Sequence, residues 1–265
     1  MNRRVVVLLS GGQDSTTVLF NALHNGGPDD KLYCLTIDYG QRHKIEVDAA
    51  RRVVHVAKQY YPDHIEEHEV LHLGNILHAT SPLVSGNELE QYENWDKLPG
   101  GLEKTFVPLR NQLFITIAAN RAAAYGAERL FIGVSQEDYG GYPDCRYPFV
   151  ASIQATINEG LGEGKLGFPR LWVCAPLIHL TKAATVKMAA NIPGCFEALA
   201  FSHTAYDGQY PPIGKDHATL LRAKGFAEAG YPDPLVIRAH EEGLMVLPET
   251  SNYDDYRKEH DGAVA

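Results

Sequence analysis

Val5-Val6-Val7-Leu8-Leu9-Ser10-Gly11-Gly12-Gln13-Asp14-Ser15 stands almost at the start of the chain, and its reading decides the fold. The β-branched apolar run predicts a buried parallel strand. The two glycines predict a tight exit, and Ser15-Thr16-Thr17 opens an amphipathic helix carrying Val18, Leu19 and Leu23. Strand, Gly-rich loop and helix in this order make an anion cradle. Glycine lets the backbone approach closely, and the N–H groups of a helix start point at the bound charge. The spacing lacks the lysine of a GxxxxGK[ST] loop and is not a GxGxxG turn, so a different nucleotide chemistry is expected.

Further along, Leu32–Ile37, Arg129–Val134 and Leu171–Leu177 read as three more strands, with helical periodicity over residues 44–60, from Arg110 to Gly126, over 149–161 and from Leu180. Strands alternating with helices predict an α/β fold with a doubly wound parallel sheet, followed by a smaller helical C-terminal segment. In such sheets ligands sit at the carboxyl ends of the strands. Polar residues gather there: Asp38 to His43 after the second strand, and Ser135 to Arg146 after the third of these four. Arg42 and His43 fit a ligand edge and a solvated turn equally well. Lys182, in the first turn of a helix capped by Thr181, opposes the helix dipole and is therefore expected to be held by an anion. Residues 62–104 read as a solvated acidic connection of strand or loop. A metal site on His64, His68, His72 and His78 is weighed and set below that reading. Residues 252–265 read as a mobile tail.

Composition narrows the function. The 265 residues carry a formal charge of -9, which favours a small substrate over a nonspecific grip on nucleic acid. No apolar run approaches a membrane span, and no signal-peptide pattern opens the chain, so a cytoplasmic protein is expected. Cys34, Cys145, Cys174 and Cys195 are scattered and read as reduced thiols.

The loop SGGQDS (10–15) resembles that of the PP-loop ATP pyrophosphatases, which cleave ATP between the α and β phosphates. With DYGQRH (38–43), FVPLRNQ (106–112), GVSQEDYGGYPDCR (133–146), LTKA (180–183) and LRAKGF (221–226), the whole is similar to the 7-cyano-7-deazaguanine synthase (QueC) family. The resemblance implies a Rossmann-like, adenine nucleotide alpha hydrolase-like fold, with a nucleotide-binding domain over 1–200 and the helical segment and tail over 201–265. It also implies ATP and Mg²⁺ as cofactors and ammonia and 7-carboxy-7-deazaguanine as small-molecule substrates. Neither nucleic acid nor membrane is an expected partner. A homodimer is implied, and a protein partner is left open.

By the same resemblance Asp14, Ser15 and Lys182 are the catalytic candidates. Ser10, Gly11, Gly12, Gln13, Asp14, Ser15, Thr36 and Asp38 are the candidates for the nucleotide. Arg110, Asn111, Asp138, Tyr142, Asp144 and Arg146 are those for the deazaguanine. The chain departs from its family at the four zinc cysteines, whose positions are Ala205, Ile213, Asp216 and Thr219, so zinc is expected to be absent. Ala184 and Ser135 also replace a family Glu and Cys. Pro211, Pro212, Ile213, Tyr206 and Tyr210 are expected to stabilise the zinc-free segment by apolar packing. Three functions follow: a nitrile-forming synthetase, a ligase that stops at the amide or joins the carboxylate to another amine, including one on a protein, and a noncatalytic nucleotide- or base-binding subunit. A tRNA thiolation enzyme is disfavoured because no thiol pair stands ready for sulfur relay.

Overall fold

The valine run forms β1 (Arg4–Leu8), and its alternation sets the layers of the molecule. In a strand successive side chains point to opposite faces. Val5, Val7 and Leu9 enter one core and Val6 enters the other. The computed structural model describes residues 3–41, 45–85, 87–98, 101–136 and 141–261. From β1 the chain runs through α1 (Gln13–His24) to β2 (Lys31–Asp38), then through α2 (Ile45–Tyr60) to β3 (Ile65–His72). It next crosses by the short α3 (Pro82–Ser85) and by α4 (Arg110–Tyr125) to β4 (Arg129–Phe131), and by α5 (Tyr147–Gly160) to β5 (Trp172–Cys174). Five helices complete it: α6 (Lys182–Ala190), α7 (Cys195–Leu199), α8 (His217–Ala229), α9 (Pro234–Glu241) and α10 (Asp254–Asp261).

The sheet has the order β3-β2-β1-β4-β5, with every pairing parallel. On one face α1, α2, α6 and α7 bury Val18, Phe20, Val53, Val186 and Leu199 against Val5, Val7 and Cys34. On the other, α4 and α5 bury Ile115, Ala118 and Ile153 against Val6, Leu35 and Leu130. This is the doubly wound sheet the alternation predicts. Because the strands proceed outward from β1 in one direction and then in the other, the crevice opens where β1 and β4 lie side by side.

Local signals behave as their chemistry requires. Thr181 caps α6, its hydroxyl accepting from Ala184 N at 3.2 Å, and Gly126 ends α4 at φ 66°. The free edge of β5 is closed by its own helix: Val173 N donates to Gln154 Oε1 at 2.8 Å and Leu171 N to Asn158 Oδ1 at 2.8 Å. Cys34 and Cys195 are buried free thiols, pushed up to about 12 by burial.

One reading is resolved and one is corrected. The acidic stretch after residue 62, open between strand and loop, begins with a sheet strand, β3, registered against β2 from Leu32↔Ile65 to Asp38↔His72. His68 and His72 therefore lie along an extended strand, with His64 in the turn before it, and no helix face is shared; His68 Nε2 meets Thr36 Oγ1 at 2.8 Å. The chain end is also ordered as far as it is described. Arg257 NH1 donates to Pro248 O at 2.6 Å, and Tyr256 stacks on His260 at 3.9 Å in α10. The expected strands at 129–134 and 171–177 are shorter in the structure, at three residues each. Phe226 of α8 is fully buried in the core that contains α1, while Val236, Leu247 and Tyr253 form a small cluster of their own. No described helix is long and apolar enough to cross a membrane.

Candidate active site

The loop after β1 is laced by its serines. Ser10 N donates to Ser15 Oγ at 3.1 Å, Gly12 N to Ser10 Oγ at 3.2 Å, and Ser15 Oγ to Gly12 O at 3.2 Å. Gly11, at φ +89°, is pressed on α2, where a Cβ would collide with Glu46 O and stand 2.8 Å from Ala50 N. The exit of β4 presses from the other side: a Cβ on Gly133 would lie 2.9 Å from Ser15 N. Gly12 caps α1 without any side chain, so the helix start keeps N–H groups for an anion. Gln13, 2% exposed, has neither amide atom hydrogen-bonded among the described residues, which leaves a buried donor and acceptor beside that start.

Among the described residues, Asp14 is an anion that holds Lys182. Lys182 Nζ donates to Asp14 Oδ1 at 3.0 Å and to Oδ2 at 2.8 Å, joining residues 168 apart in sequence. The lysine stem is wedged by α8, since a Cβ on Gly225 would collide with Lys182 Cγ and stand 2.9 Å from its Cβ.

Beside this pair lies a cavity of about 300 Å³, at the lower end of the range that holds small molecules. Ser10, Gly12, Gln13, Asp14, Ser15 and Lys182 line it. Arg110, Asn111 and Tyr142 line it too, with Arg110 among the hydroxyls of Tyr39, Tyr142 and Tyr206. Leu109, just ahead of Arg110, holds φ 62° as the N-cap of α4 and is 64% exposed. Asn111 N donates to Asp144 Oδ2 at 3.4 Å, so these two meet, although Asp144 is behind the wall. Burial raises the Asp144 carboxyl, and the Arg110 charge works against the rise.

Thr36, Asp38, Asp144, Arg146 and Gly11 do not line the cavity. Thr36 Oγ1 donates to Leu9 O at 2.7 Å and ties two strands together. Asp38 Oδ2 stands 2.9 Å from His72 Nδ1. Arg146 is exposed at the start of α5. Asp138, with Arg42 and His43, lies outside the described residues.

Several wall residues escape the sequence reading. Glu46 faces the cavity from the first turn of α2, where a charged helix start resembles a solvated face. Burial pushes its carboxyl up to about 7, against the pull of Arg110 and of the Gln41 amide. The C-terminal segment supplies His203, Thr204, Tyr206 and His217. His203 N donates to Gly11 O at 2.8 Å, which docks that segment on the loop. His217 Nε2 lies 3.8 Å from Glu103 Oε1, and neither atom has a hydrogen-bond partner among the described residues.

The positions equivalent to the family's zinc ligands do not fit a tetrahedral metal. Asp216 caps α8, its Oδ1 accepting from Ala218 N at 3.0 Å and Thr219 N at 3.1 Å, while Thr219 Oγ1 donates to Asp216 Oδ2 at 2.7 Å. Ala205 has no donor atom, and Ile213 is 60% exposed. Ile213 therefore supplies little of the expected apolar packing. Polar contacts act instead: Arg222 pairs with Asp233 at 2.6 and 2.8 Å and donates to Ser202 Oγ and Thr204 Oγ1, and Arg238 lies over Tyr210 at 4.2 Å.

Comparison with known proteins adds the family dimension. A family model described as queuosine biosynthesis protein QueC matches residues 4–230. A 7-cyano-7-deazaguanine synthase of Gloeobacter violaceus is 42% identical over 236 residues, covering 88% of this chain and 95% of that protein. Another, of Chromobacterium violaceum, is 41% identical over 249 residues, covering 91% and 96%. Among solved structures, the U34-tRNA thiolase NcsA from Methanococcus maripaludis with its [4Fe-4S] cluster is similar at 18% identity and a TM-score of 0.41, covering 94% of this chain and 75% of that one. That likeness is too distant to carry chemistry between them.

Proposed function

The chain belongs to the QueC family of queuosine biosynthesis proteins, and on that premise we propose that it converts 7-carboxy-7-deazaguanine to 7-cyano-7-deazaguanine with ATP and ammonia. The observation that carries this reading is one cavity lined both by the serine-laced loop with the Asp14–Lys182 pair and by Arg110 among three tyrosines. The loop fits a nucleotide. The uncapped start of α1 and the orphaned Gln13 amide offer polar groups to an anion, and a Cβ at Gly11 would break the cradle.

In this reading Lys182 and the first N–H groups of α1 neutralise the charge that grows on pyrophosphate as a carboxylate oxygen attacks the α-phosphorus. Arg110 holds the carboxylate at the reacting end. Ammonia then displaces AMP and loses a proton to leave the amide. A second adenylation on the amide oxygen, with loss of AMP and two protons, leaves the nitrile. Mg²⁺ supplies neutralisation of phosphate charge when bound, and Asp14 is the loop carboxylate that would reach it.

The zinc-equivalent segment favours a second reading. Because Asp216 and Thr219 form a helix cap in place of metal ligands, the wall that Tyr206 and His217 supply is built without a metal, and a relative so altered stops at the amide or passes the carboxylate to another amine. A noncatalytic subunit would have no use for the Asp14–Lys182 pair. The test is the purified protein with ATP, Mg²⁺, ammonia and 7-carboxy-7-deazaguanine, measuring AMP and pyrophosphate and weighing the base product. The nitrile mass supports the first reading and the amide mass the second. ATP left intact removes both. A homodimer belongs to this reading, and light scattering on the purified chain checks it.

A further inference from the structure

The cavity is lined by a carboxylate that none of the steps above employs. Glu46 stands in the first turn of α2, where acidic residues commonly offset the helix dipole. Its neighbour in that turn, Asp48, does something ordinary: it is exposed and pairs with Arg51 at 2.8 Å. Glu46 instead faces the cavity. Burial pushes its carboxyl up to about 7, although the Arg110 charge and the Gln41 amide both pull it down.

Its orientation is nevertheless fixed. Tyr39 N donates to Gln41 Oε1 at 2.9 Å, and the Gln41 amide nitrogen then reaches Glu46 Oε2 at 3.5 Å. The backbone at the end of β2 thus aims an amide, and the amide aims the carboxylate. The same cavity is lined by Tyr39, Tyr142 and Tyr206 and by Arg110, whose charge also acts on Glu46. A flat base that carries an anionic substituent would find ring contacts on its faces, a cation for its carboxylate, and two adjacent acceptor oxygens at another edge. Two adjacent donors are what the N1–H and 2-amino group of a guanine-type ring present. Two oxygens of one carboxylate match them, and an amide cannot, because it opposes one donor with another.

We propose that Glu46 is the specificity residue for the base, accepting from the N1–H and 2-amino group of a 7-deazaguanine, with Gln41 as the positioning residue behind it. The assignment rests on the proposed reading of the cavity as a deazaguanine site and names which edge is read. A base lacking the 2-amino group leaves one buried oxygen without its donor, and a buried acceptor left unmatched is how sites reject close analogues.

The test compares 7-carboxy-7-deazaguanine with 7-carboxy-7-deazahypoxanthine, which lacks only the 2-amino group, in the wild-type protein and in Glu46→Gln. Wild type is expected to prefer the first by about 100-fold in kcat/KM, the cost of one buried acceptor left unmatched. Glu46→Gln is expected to lose most of that preference through a raised KM for the guanine compound, with the KM for ATP within about 2-fold of wild type. Gln41→Leu is expected to move the same preference in the same direction, more weakly. Retained preference in Glu46→Gln overturns the proposal, as does an equal rise in the KM for ATP, which would put Glu46 on the nucleotide. Calorimetric binding of the two bases without ATP separates this inference from the reaction. A wild-type protein that binds the guanine base selectively but releases no AMP overturns the reaction alone, and one that binds neither base overturns both. A melting curve of Glu46→Gln within a few degrees of wild type shows that the folded state is being compared.

Discussion

Lys182 shows how a single side chain can be legible by chemistry and yet incomplete from sequence. A cation in the first turn of a helix is unfavourable and needs an anion. The sequence implies that an anion is present, but not that it is Asp14, 168 residues away. Lys182→Met is expected to lower adenylation by about 100- to 1,000-fold, the usual effect of removing one charge-stabilising donor, as read from AMP release. Glu46 was unreadable for the opposite reason, because a helix-start glutamate is commonplace and only burial sets it apart. Its folded carboxyl, raised to about 7 from 4.5, binds its proton more tightly than in the unfolded chain. The stability it contributes is complete below about 4.5 and lost as the pH rises through about 7. Urea midpoints should therefore show Glu46→Gln gaining on wild type between pH 5 and pH 8. His68 runs the other way. Burial, with the charges of Arg51 and Lys58 adding to it, lowers the ring from 6.5 to about 4, so stability is lost as the pH falls through that window. His68→Gln should lose less stability than wild type between pH 7 and pH 5 in the same measurement.

At the scale of elements, the helices and buried strands were legible because their periodicity is set by the core they enter. β3 stayed open between strand and loop, and the reason is its place at the sheet edge. Glu66, Glu67 and Glu69 remain compatible with a strand that has one partner. Glu69 is also neutralised by Arg121 of α4 at 2.8 Å, a contact that only the folded packing creates. The start of α4 has a local cost. Leu109 sits in the left-handed region at φ 62° with most of its side chain in solvent, so Leu109→Gly is expected to stabilise the chain by about 0.5–1 kcal/mol in chemical denaturation. The contact of α8 with α6 is tighter still. A methyl group at Gly225 must displace the Lys182 stem, and Gly225→Ala is expected to lose AMP release while a melting curve shows a smaller change.

For the molecule as a whole, the parallel sheet and the position of its crevice followed from the alternation of strands and helices, whereas the closure of the cavity did not. Part of its wall comes from residues 203–222, docked through His203 N on Gly11 O and fixed by Arg222, whose guanidinium and the carboxylate of Asp233 are each at most 4% exposed. Removing one partner of such a pair strands a buried charge. Asp233→Asn is expected to cost about 3–5 kcal/mol in denaturation measurements. The sequence displays LRAKGF as a motif but not that its arginine turns inward to hold a loop. The amides of α5 that occupy the β5 edge have a consequence for assembly. An exposed strand end is a template on which other chains can polymerise. With Gln154 and Asn158 seated there, a second copy meets side chains where it would need backbone partners. That flank is thereby insulated from runaway ribbon growth, and any symmetric pairing of subunits through it must use complementary side-chain surfaces.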